Sequence, residues 1–249
     1  MIVRKSDEEI RAMRQAGRVV AQTLERIRET VRPGVTTLEI DAIAEDCIRK
    51  LGGAPSFKGF HGFPRSVCAS VNEEVVHGIP GKRRLIEGDI ISIDVGAIVG
   101  GFHGDAAMTF PVGEISEEAK RLLEVTEEAL YRGIDAARAG RRVMDISHAI
   151  QSHVESHGFS VVRSFVGHGI GRNMHEDPQV PNFVVQGSSS PLLKPGMVLA
   201  IEPMVNAGDH EVVVKEDKWT VVTRDSSLSA HFEHTVAITA GEPEILTRL

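Results

Sequence analysis

Four acidic residues stand inside stretches that otherwise have the apolar composition of buried strands. They are Asp94, Asp105, Glu202 and Glu233. Burying a carboxylate that has no partner costs several kcal/mol, so such a residue is seldom found inside a core by accident. Any fold of this chain must therefore expose these acids, pair each of them in a salt bridge, or gather them around a shared positive charge.

Asp94 and Asp105 are predicted to lie on neighbouring strands of one hairpin. Gly100 and Gly101 form a turn signal between the two apolar runs. A turn at residues 99–100 or at 100–101 puts both acids on the same face, directly opposite or one diagonal step apart, with Cβ atoms about 4.5–8 Å apart. Carboxylates this close repel each other, and a bound cation removes the repulsion. The alternative is a pair of solvated or salt-bridged acids.

His168 adds a nitrogen donor to these oxygen donors. It lies in the run Gly167–Gly171, which resembles a dinucleotide-binding fingerprint only superficially, because the required acidic residue does not follow. We expect the small residues around His168 to let a ligand come close to the backbone. Read alone, His168 also suits a structural role, and Glu202 or Glu233 alone suits a core salt bridge.

The combined donor set has one imidazole, four carboxylates and no thiolate. It suits two divalent ions of Mn, Fe, Co or Zn in a catalytic site better than a closed structural zinc site. Two such ions activate a shared water and polarise a carbonyl. The sequence therefore predicts a metal-dependent hydrolase that acts on an amide or a phosphate.

Composition bears on the partners and the cellular location of such an enzyme. The 249 residues include 28 Lys and Arg against 35 Asp and Glu, a formal net charge of -7, which argues against a DNA-binding surface. Two cysteines fit a reducing cytoplasm. No apolar stretch approaches the roughly 18 residues of a membrane span. We expect a cytoplasmic protein, and the low aromatic content of 4% is compatible with a monomer.

Hydrophobic periodicity predicts two pairs of helices, and strands follow each pair. The predicted helices run from Ser6 to the stop signal at 32–34, from Thr37 to Gly52, from Ser116 to Gly140, and over 144–157. The predicted strands are 66–72, 90–99, 102–112, 159–166, 196–206, 211–215, 218–224 and 231–239.

This order of elements indicates an α+β fold made of two similar halves, each with two helices on one face of an antiparallel sheet. No long Ser-, Gly- or Pro-rich linker divides the halves, so residues 1–249 are predicted to form one domain. The short run 187–191 is predicted to be a surface loop.

At the level of motifs, the chain resembles the type I methionine aminopeptidases. The resemblance covers nearly the whole chain, and the motifs are specific as a set. In chain order they are VVHGIP at 75–80, IDVG at 93–96, HGDA at 103–106, GHGIG at 167–171, MHE at 174–176, IEPM at 201–204 and FEHT at 232–235.

The resemblance implies a fold, a reaction and roles for the charged residues. The fold is the pita-bread fold, with two pseudo-symmetric halves, and the reaction removes the N-terminal methionine from peptides and nascent chains whose second residue is small, in some cases at the ribosome. Asp94 is implied to chelate one metal, Asp105 and Glu233 to bridge both, and His168 and Glu202 to complete the second site.

The same resemblance assigns catalytic and substrate-binding residues. Glu202 is implied to be the general base toward the shared water, His77 to bind substrate and assist proton transfer near its amine, and His175 to steady the scissile carbonyl. From the residues alone, His77 and His175 also suit solvated loop positions.

The resemblance also places a methionine pocket at positions that are apolar or aromatic in this chain. They are Phe57, Phe60, Phe63, Cys68, Met174 and Trp219. Ordinary core packing is the alternative for each phenylalanine. The chain departs from the commonest pattern, because Phe57 stands where a small residue or Cys is common, Phe60 and Phe63 stand where Tyr is common, and Met174 stands where Phe is common.

Two other functions remain open at this stage. Proline-specific aminopeptidases and dipeptidases share the five ligands, but they usually carry an additional N-terminal domain, for which 249 residues leave no room. A non-catalytic pita-bread binding module generally loses ligands, and all five are present here.

Overall fold

The structure is a computed structural model that describes residues 1–185, 187 and 190–249. The surface loop predicted at 187–191 therefore lies partly outside the described residues. In the part of the chain that is described, the α-helices are α1 Asp7–Arg28, α2 Thr37–Lys50, α3 Glu117–Ala136 and α4 Val143–Ser156. None of these helices is both long and apolar enough to cross a membrane.

The first two helices begin at reciprocal hydrogen bonds that the sequence encodes. The Ser6 hydroxyl accepts from the backbone N–H of Glu9, and the Glu9 carboxylate accepts from the backbone N–H of Ser6. Thr36 and Glu39 repeat this arrangement at the start of α2. Each capping box satisfies two backbone donors that a helix start would otherwise leave unpaired, which fixes where the helix begins.

The strands are short, apart from one long hairpin. They are β1 Ala54–Pro55, β2 Val67–Val71, β3 Glu74–Val76, β4 Ile90–Val99, β5 Phe102–Pro111, β6 Ser160–Val161, β7 Gly167–Gly169, β8 Glu176–Val180, β9 Val198–Ile201, β10 Met204–Asn206, β11 Val212–Val214, β12 Val221–Thr223, β13 Ser229–His231, β14 His234–Ala237 and β15 Glu244–Ile245.

These strands form four antiparallel sheets. In the first sheet, β4 pairs with β5 along one edge and with β2 and β1 along the other. The others have the strand orders β13-β10-β6, β11-β12-β3 and β15-β14-β9-β7-β8. Two helices followed by strands thus occur twice along the chain, as the predicted order of elements requires.

Each pair of helices covers a different set of strands. Side chains of α1 and α2, such as Val20 and Ile40, pack with Ile91 and Ile93 of β4. Side chains of α3 and α4, such as Leu122, pack with those of β9. Because side chains alternate across a strand, the even-numbered residues of β4, including Asp94, point away from the helices. That face of the sheet meets the second half of the molecule.

Four predicted elements are wrong in extent. Helix α3 ends at Ala136 and not at Gly140, because the backbone N–H of Gly140 bonds to the carbonyl of Leu193. The strand predicted at 159–166 is reduced to β6. The strands predicted at 196–206 and 231–239 are each interrupted, between β9 and β10 and between β13 and β14. The last two interruptions fall at Glu202 and Glu233.

Candidate metal centre

A cavity of about 260 Å³ collects every residue that the sequence assigned to a site. It is lined by residues of both halves of the chain. The assigned residues among them are Asp94, Asp105, His168, Glu202, Glu233, His77, His175, Phe57, Phe60, Phe63, Cys68, Met174 and Trp219.

The β4–β5 hairpin sets Asp94 and Asp105 one diagonal step apart. The turn is formed by Gly100 and Gly101, whose φ angles of 58° and 79° suit glycine. With this turn, Asp94 pairs with Ala107, and Asp105 pairs with the residue two places after Asp94. Of the two predicted turns, the one at 100–101 is therefore confirmed, and both carboxylates lie on one face.

Glu202 and Glu233 each occupy a break between two short strands. Pro203 has no N–H to continue a ladder, so β9 ends at Ile201, directly before Glu202. Glu233 leaves its own strand and instead donates its backbone N–H to the carbonyl of Ala107 in β5, at 2.9 Å. The two glutamates are thus placed beside the hairpin that carries the two aspartates.

His168 is oriented by its own loop. Its Nδ1 lies 2.8 Å from the carbonyl oxygen of Gly169, so Nδ1–H donates and Nε2 keeps its lone pair. Nε2 lies 3.5 Å from Oε1 of Glu202. A histidine that donates one ring N–H to a carbonyl has the tautomer and orientation that a metal ligand needs.

The glycines on either side of His168 serve packing rather than ligand approach. A Cβ at Gly167 would collide with the carbonyl of Ala200, and one at Gly169 would collide with the carbonyl of Asp177. The expectation that these small residues admit a ligand is therefore wrong. They admit the neighbouring strands.

The carboxylates fit a bound cation. Asp94 Oδ1, Asp105 Oδ1 and Glu233 Oε1 are buried and have no hydrogen-bond partner among the described residues. Asp105, Glu233 and His168 offer ligand atoms that all lie within 4.8 Å of one another. Such an arrangement of unpartnered oxygens and one oriented imidazole suits hard or borderline divalent ions.

Electrostatics support the same conclusion. Burial, followed by the charges of neighbouring carboxylates, raises the pKa of Asp105, Glu202 and Glu233 well above their usual range. Burial also raises the pKa of Asp94 to about 7. A cation among these groups would offset both the cost of burying the charges and the repulsion between the carboxylates, and it would keep the acids ionised.

An apolar pocket opens directly onto the carboxylates. Phe57, Phe63, Cys68 and Met174 form one buried cluster, and Phe60, Ile79 and Trp219 pack against it. The rings of Phe63 and Trp219 meet edge to face, with 5.1 Å between centroids. The cluster unites all six residues expected to form a pocket and adds Ile79.

Two histidines, His77 and His175, also line the cavity. His77 has a left-handed backbone conformation with φ 59°, and its ring meets the edge of Phe165 at 5.5 Å. His175 lies between Phe60 and His168, at centroid distances of 5.4 and 4.2 Å. Burial, with a smaller effect of His175, lowers the pKa of His77 to about 4; burial and then His61 lower that of His175. Both rings are therefore neutral at neutral pH.

The cavity also contains residues that the sequence did not single out. His61, Phe165 and Met204 line it, and so does His231, whose pKa burial lowers to about 3. His231 stands two residues before Glu233, so its alternating position in the same apolar run was a usable signal. The apolar residues carried no comparable signal.

Comparison with known proteins gives one consistent result. The model of metallopeptidase family M24 matches residues 11–240. "Methionine aminopeptidase 1" of Bacillus subtilis is 57% identical over 249 residues, covering 100% of each chain. The crystal structure of methionine aminopeptidase from Thermotoga maritima superposes with a TM-score of 0.97 at 50% identity, covering 100% of both chains.

More distant structures share the fold alone. The Xaa-Pro dipeptidase from Bacillus anthracis has a TM-score of 0.80 at 23% identity, and the match covers 99% of this chain but 62% of that one. These superpositions confirm the α+β pita-bread fold that the resemblance implied.

Proposed function

Because this chain belongs to metallopeptidase family M24 and, within it, to the methionine aminopeptidases, we propose that it removes the N-terminal methionine from peptides and nascent proteins whose second residue is small. One observation carries this proposal. An apolar, aromatic-walled pocket opens directly onto the cluster of carboxylates and His168. A side chain held in that pocket brings its own peptide bond to the cluster.

The cofactor is proposed to be a pair of divalent ions of Co, Mn, Fe or Zn. Asp94 would hold one ion, Asp105 and Glu233 would lie between both, and His168 and Glu202 would hold the second. This assignment is supported by the buried oxygens of Asp94, Asp105 and Glu233, which have no hydrogen-bond partner within the described ranges. When bound, the ions lower the pKa of a water molecule and polarise the scissile carbonyl.

The side chains of this protein would move the protons. Glu202 accepts a proton from the attacking water, which is general-base catalysis. His77, neutral at pH 7, hydrogen-bonds near the substrate amine and assists proton transfer there. His175, also neutral, donates an N–H to the carbonyl oxygen on which charge develops.

The pocket would bind the methionine side chain. A thioether makes favourable contacts with aromatic ring edges at about 5 Å, and Phe57, Phe60, Phe63 and Trp219 offer such edges. Cys68 and Met174 complete the wall. Burial raises the pKa of the Cys68 thiol well above its usual range, so Cys68 is a packing group and not a nucleophile.

Partners and location follow as further proposals. The substrate is a free peptide N-terminus, met on a released peptide or on a nascent chain at the ribosome in the cytoplasm. Residues 1–249 would act as one catalytic domain and as a monomer, without DNA or membrane partners.

The test is methionine release from the peptide Met-Ala-Ser by chelator-stripped protein, with Co(II) or Mn(II) added back and Ala-Pro-Ala assayed alongside. Metal-dependent release from Met-Ala-Ser alone is expected. Cleavage of Ala-Pro-Ala instead would reassign the protein to the proline-specific branch of the fold. Metal binding without turnover of either peptide would support a binding module.

A further inference from the structure

His231 is a buried imidazole that the proposed reaction does not use. Its side chain is 2% exposed, and its Nε2 has no hydrogen-bond partner among the described residues, although it faces the cavity. Leaving a buried polar atom unpaired is unfavourable, because the atom loses its hydrogen bonds to water without replacement. A partner for this nitrogen is therefore expected in the working enzyme.

The group that faces His231 is the carboxylate of Glu202. Its Oε2 lies 3.7 Å from Nε2 of His231, while its Oε1 lies 3.5 Å from Nε2 of His168. The carboxylate thus has one imidazole beside each oxygen. Of these two histidines, only His168 belongs to the group of described residues whose possible ligand atoms all lie within 4.8 Å of one another.

The fold fixes His231 in this position from two sides. In the β10–β13 pair, His231 lies opposite Met204. Glu202 precedes Met204 by two residues, which is the spacing of a diagonal neighbour of His231 on the same face. Thr109 of β5 clamps the backbone of His231: its hydroxyl accepts from the N–H and donates to the carbonyl, each at 2.9 Å. The ring is therefore presented to Glu202 by regular backbone structure and not by a mobile loop.

We propose that His231 is a positioning residue for the general base, whose Nε2–H donates to Oε2 of Glu202 and so holds Oε1 toward the reacting water. The separation of 3.7 Å exceeds that of a hydrogen bond. A movement of about 0.5–1 Å closes it, and the terminal torsion of a glutamate is soft enough to allow that movement. This inference rests on the proposed function, because it assumes that Glu202 is the base.

Two substitutions distinguish the effect of losing the hydrogen-bond donor from the effect of changing the size of the side chain. Glutamine places an amide N–H about where Nε2 lies, whereas asparagine ends about where Nδ1 lies and leaves Oε2 without a donor. We expect His231→Asn to lower kcat on Met-Ala-Ser by about 10²-fold, the usual effect of a misplaced catalytic group, with KM within about twofold. We expect His231→Gln to retain kcat within about fivefold of the wild type. Metal content should be unchanged in both.

His153→Leu is the matched control, because His153 is also a buried histidine but lies on α4 and does not line the cavity. Its kcat should equal that of the wild type. A rise in KM at constant kcat for His231→Asn would make His231 a substrate contact and overturn the proposal. Equal losses of kcat in the Asn and Gln variants, no loss in either, or loss of bound metal would also overturn it.

The contact between His231 and Glu202 can also be tested by a measurement that does not depend on methionine release. In ¹⁵N-histidine-labelled, metal-free protein, the Nε2–H resonance of His231 should be observed and should shift in Glu202→Ala but not in Glu128→Ala, which alters an exposed residue of α3. An unchanged resonance in Glu202→Ala would contradict the contact. If wild-type protein with metal fails to release methionine, the proposed function falls while this contact is still tested on its own.

Discussion

Lys5 and Glu176 form a buried ion pair, with 2.6 Å between Nζ and Oε2 and side chains that are 3% and 9% exposed. The two residues lie 171 positions apart in the chain. Glu176 directly follows His175, and it also accepts the backbone N–H of Asn173 at 3.1 Å. The pair therefore ties the segment before α1 to the loop that carries a proposed catalytic histidine.

Replacing Lys5 should destabilise the protein strongly. Lys5→Met leaves the Glu176 carboxylate buried without its counter-charge, so the free energy of unfolding in urea should fall by about 3–5 kcal/mol. Lys58→Met is the control, because its partnership with Glu45 is half exposed and should contribute less than about 1 kcal/mol. Equal effects of the two substitutions would show that the buried pair does not anchor the loop.

Glu233→Ala should lose metal and activity together. Its Oε1 is one of the buried oxygens that have no hydrogen-bond partner in the part of the chain that the structure describes, and its proposed place is between the two ions. We expect metal content after dialysis to fall by at least one ion per chain and methionine release to become undetectable. Glu128→Ala on α3, where the glutamate is 62% exposed, should change neither. Full activity of Glu233→Ala in a metal-replete assay would end the bridging assignment.

The sequence predicted well which residues lie together when they are close in the chain, because a short turn fixes their positions. Asp94 and Asp105 are joined by a two-residue turn, so counting residues across Gly100–Gly101 was enough to place them on one face. The residues of the apolar pocket came instead from resemblance, since Phe57 and Met174 are far apart in the chain and nothing in their spacing brings them together.

Features fixed by distant contacts could not be predicted in the same way. The strand break at Glu233 depends on a hydrogen bond from its backbone N–H to Ala107, which is 126 residues earlier. His231 acquires a role only when β13 pairs with β10 and presents its ring to Glu202. The sequence pattern indicates where an apolar run lies, but it does not show which distant residue interrupts that run.

His77→Ala should keep metal but lose turnover. In the described chain, His77 is not among the residues whose ligand atoms lie close together, and its ring lies near aromatic rings, with Phe165 at 5.5 Å and Trp219 at 6.4 Å between centroids. Loss of a group that assists proton transfer lowers kcat by about 10²–10⁴-fold. Metal content and kcat should be measured on the same preparation. A large loss of metal would mean that the proposed role of His77 is wrong.

His77 should also contribute to acid sensitivity. Burial, helped by nearby His175, lowers its pKa from 6.5 to about 4, so between these values the unfolded chain binds a proton that the folded chain does not. Falling pH therefore favours unfolding, by about 3 kcal/mol for this group once pH reaches 4. In metal-free protein, His77→Gln should lose about that much less stability than the wild type between pH 7 and pH 4. Parallel stability curves would contradict a buried, neutral His77.

Gly96→Ala should reshape the methionine pocket through Phe57. A Cβ at Gly96 would lie 2.7 Å from Cβ of Ser56 and 2.8 Å from Cε1 of Phe57, so the ring must move. Because Phe57 lines the cavity, we expect KM for Met-Ala-Ser to rise by about tenfold at unchanged metal content. Adding Phe57→Cys should restore KM by returning the lost space. Gly81→Ala, where the nearest atom is 3.8 Å away, should leave KM unchanged. Loss of metal at unchanged KM would instead show that Gly96 serves Asp105, its partner across the hairpin.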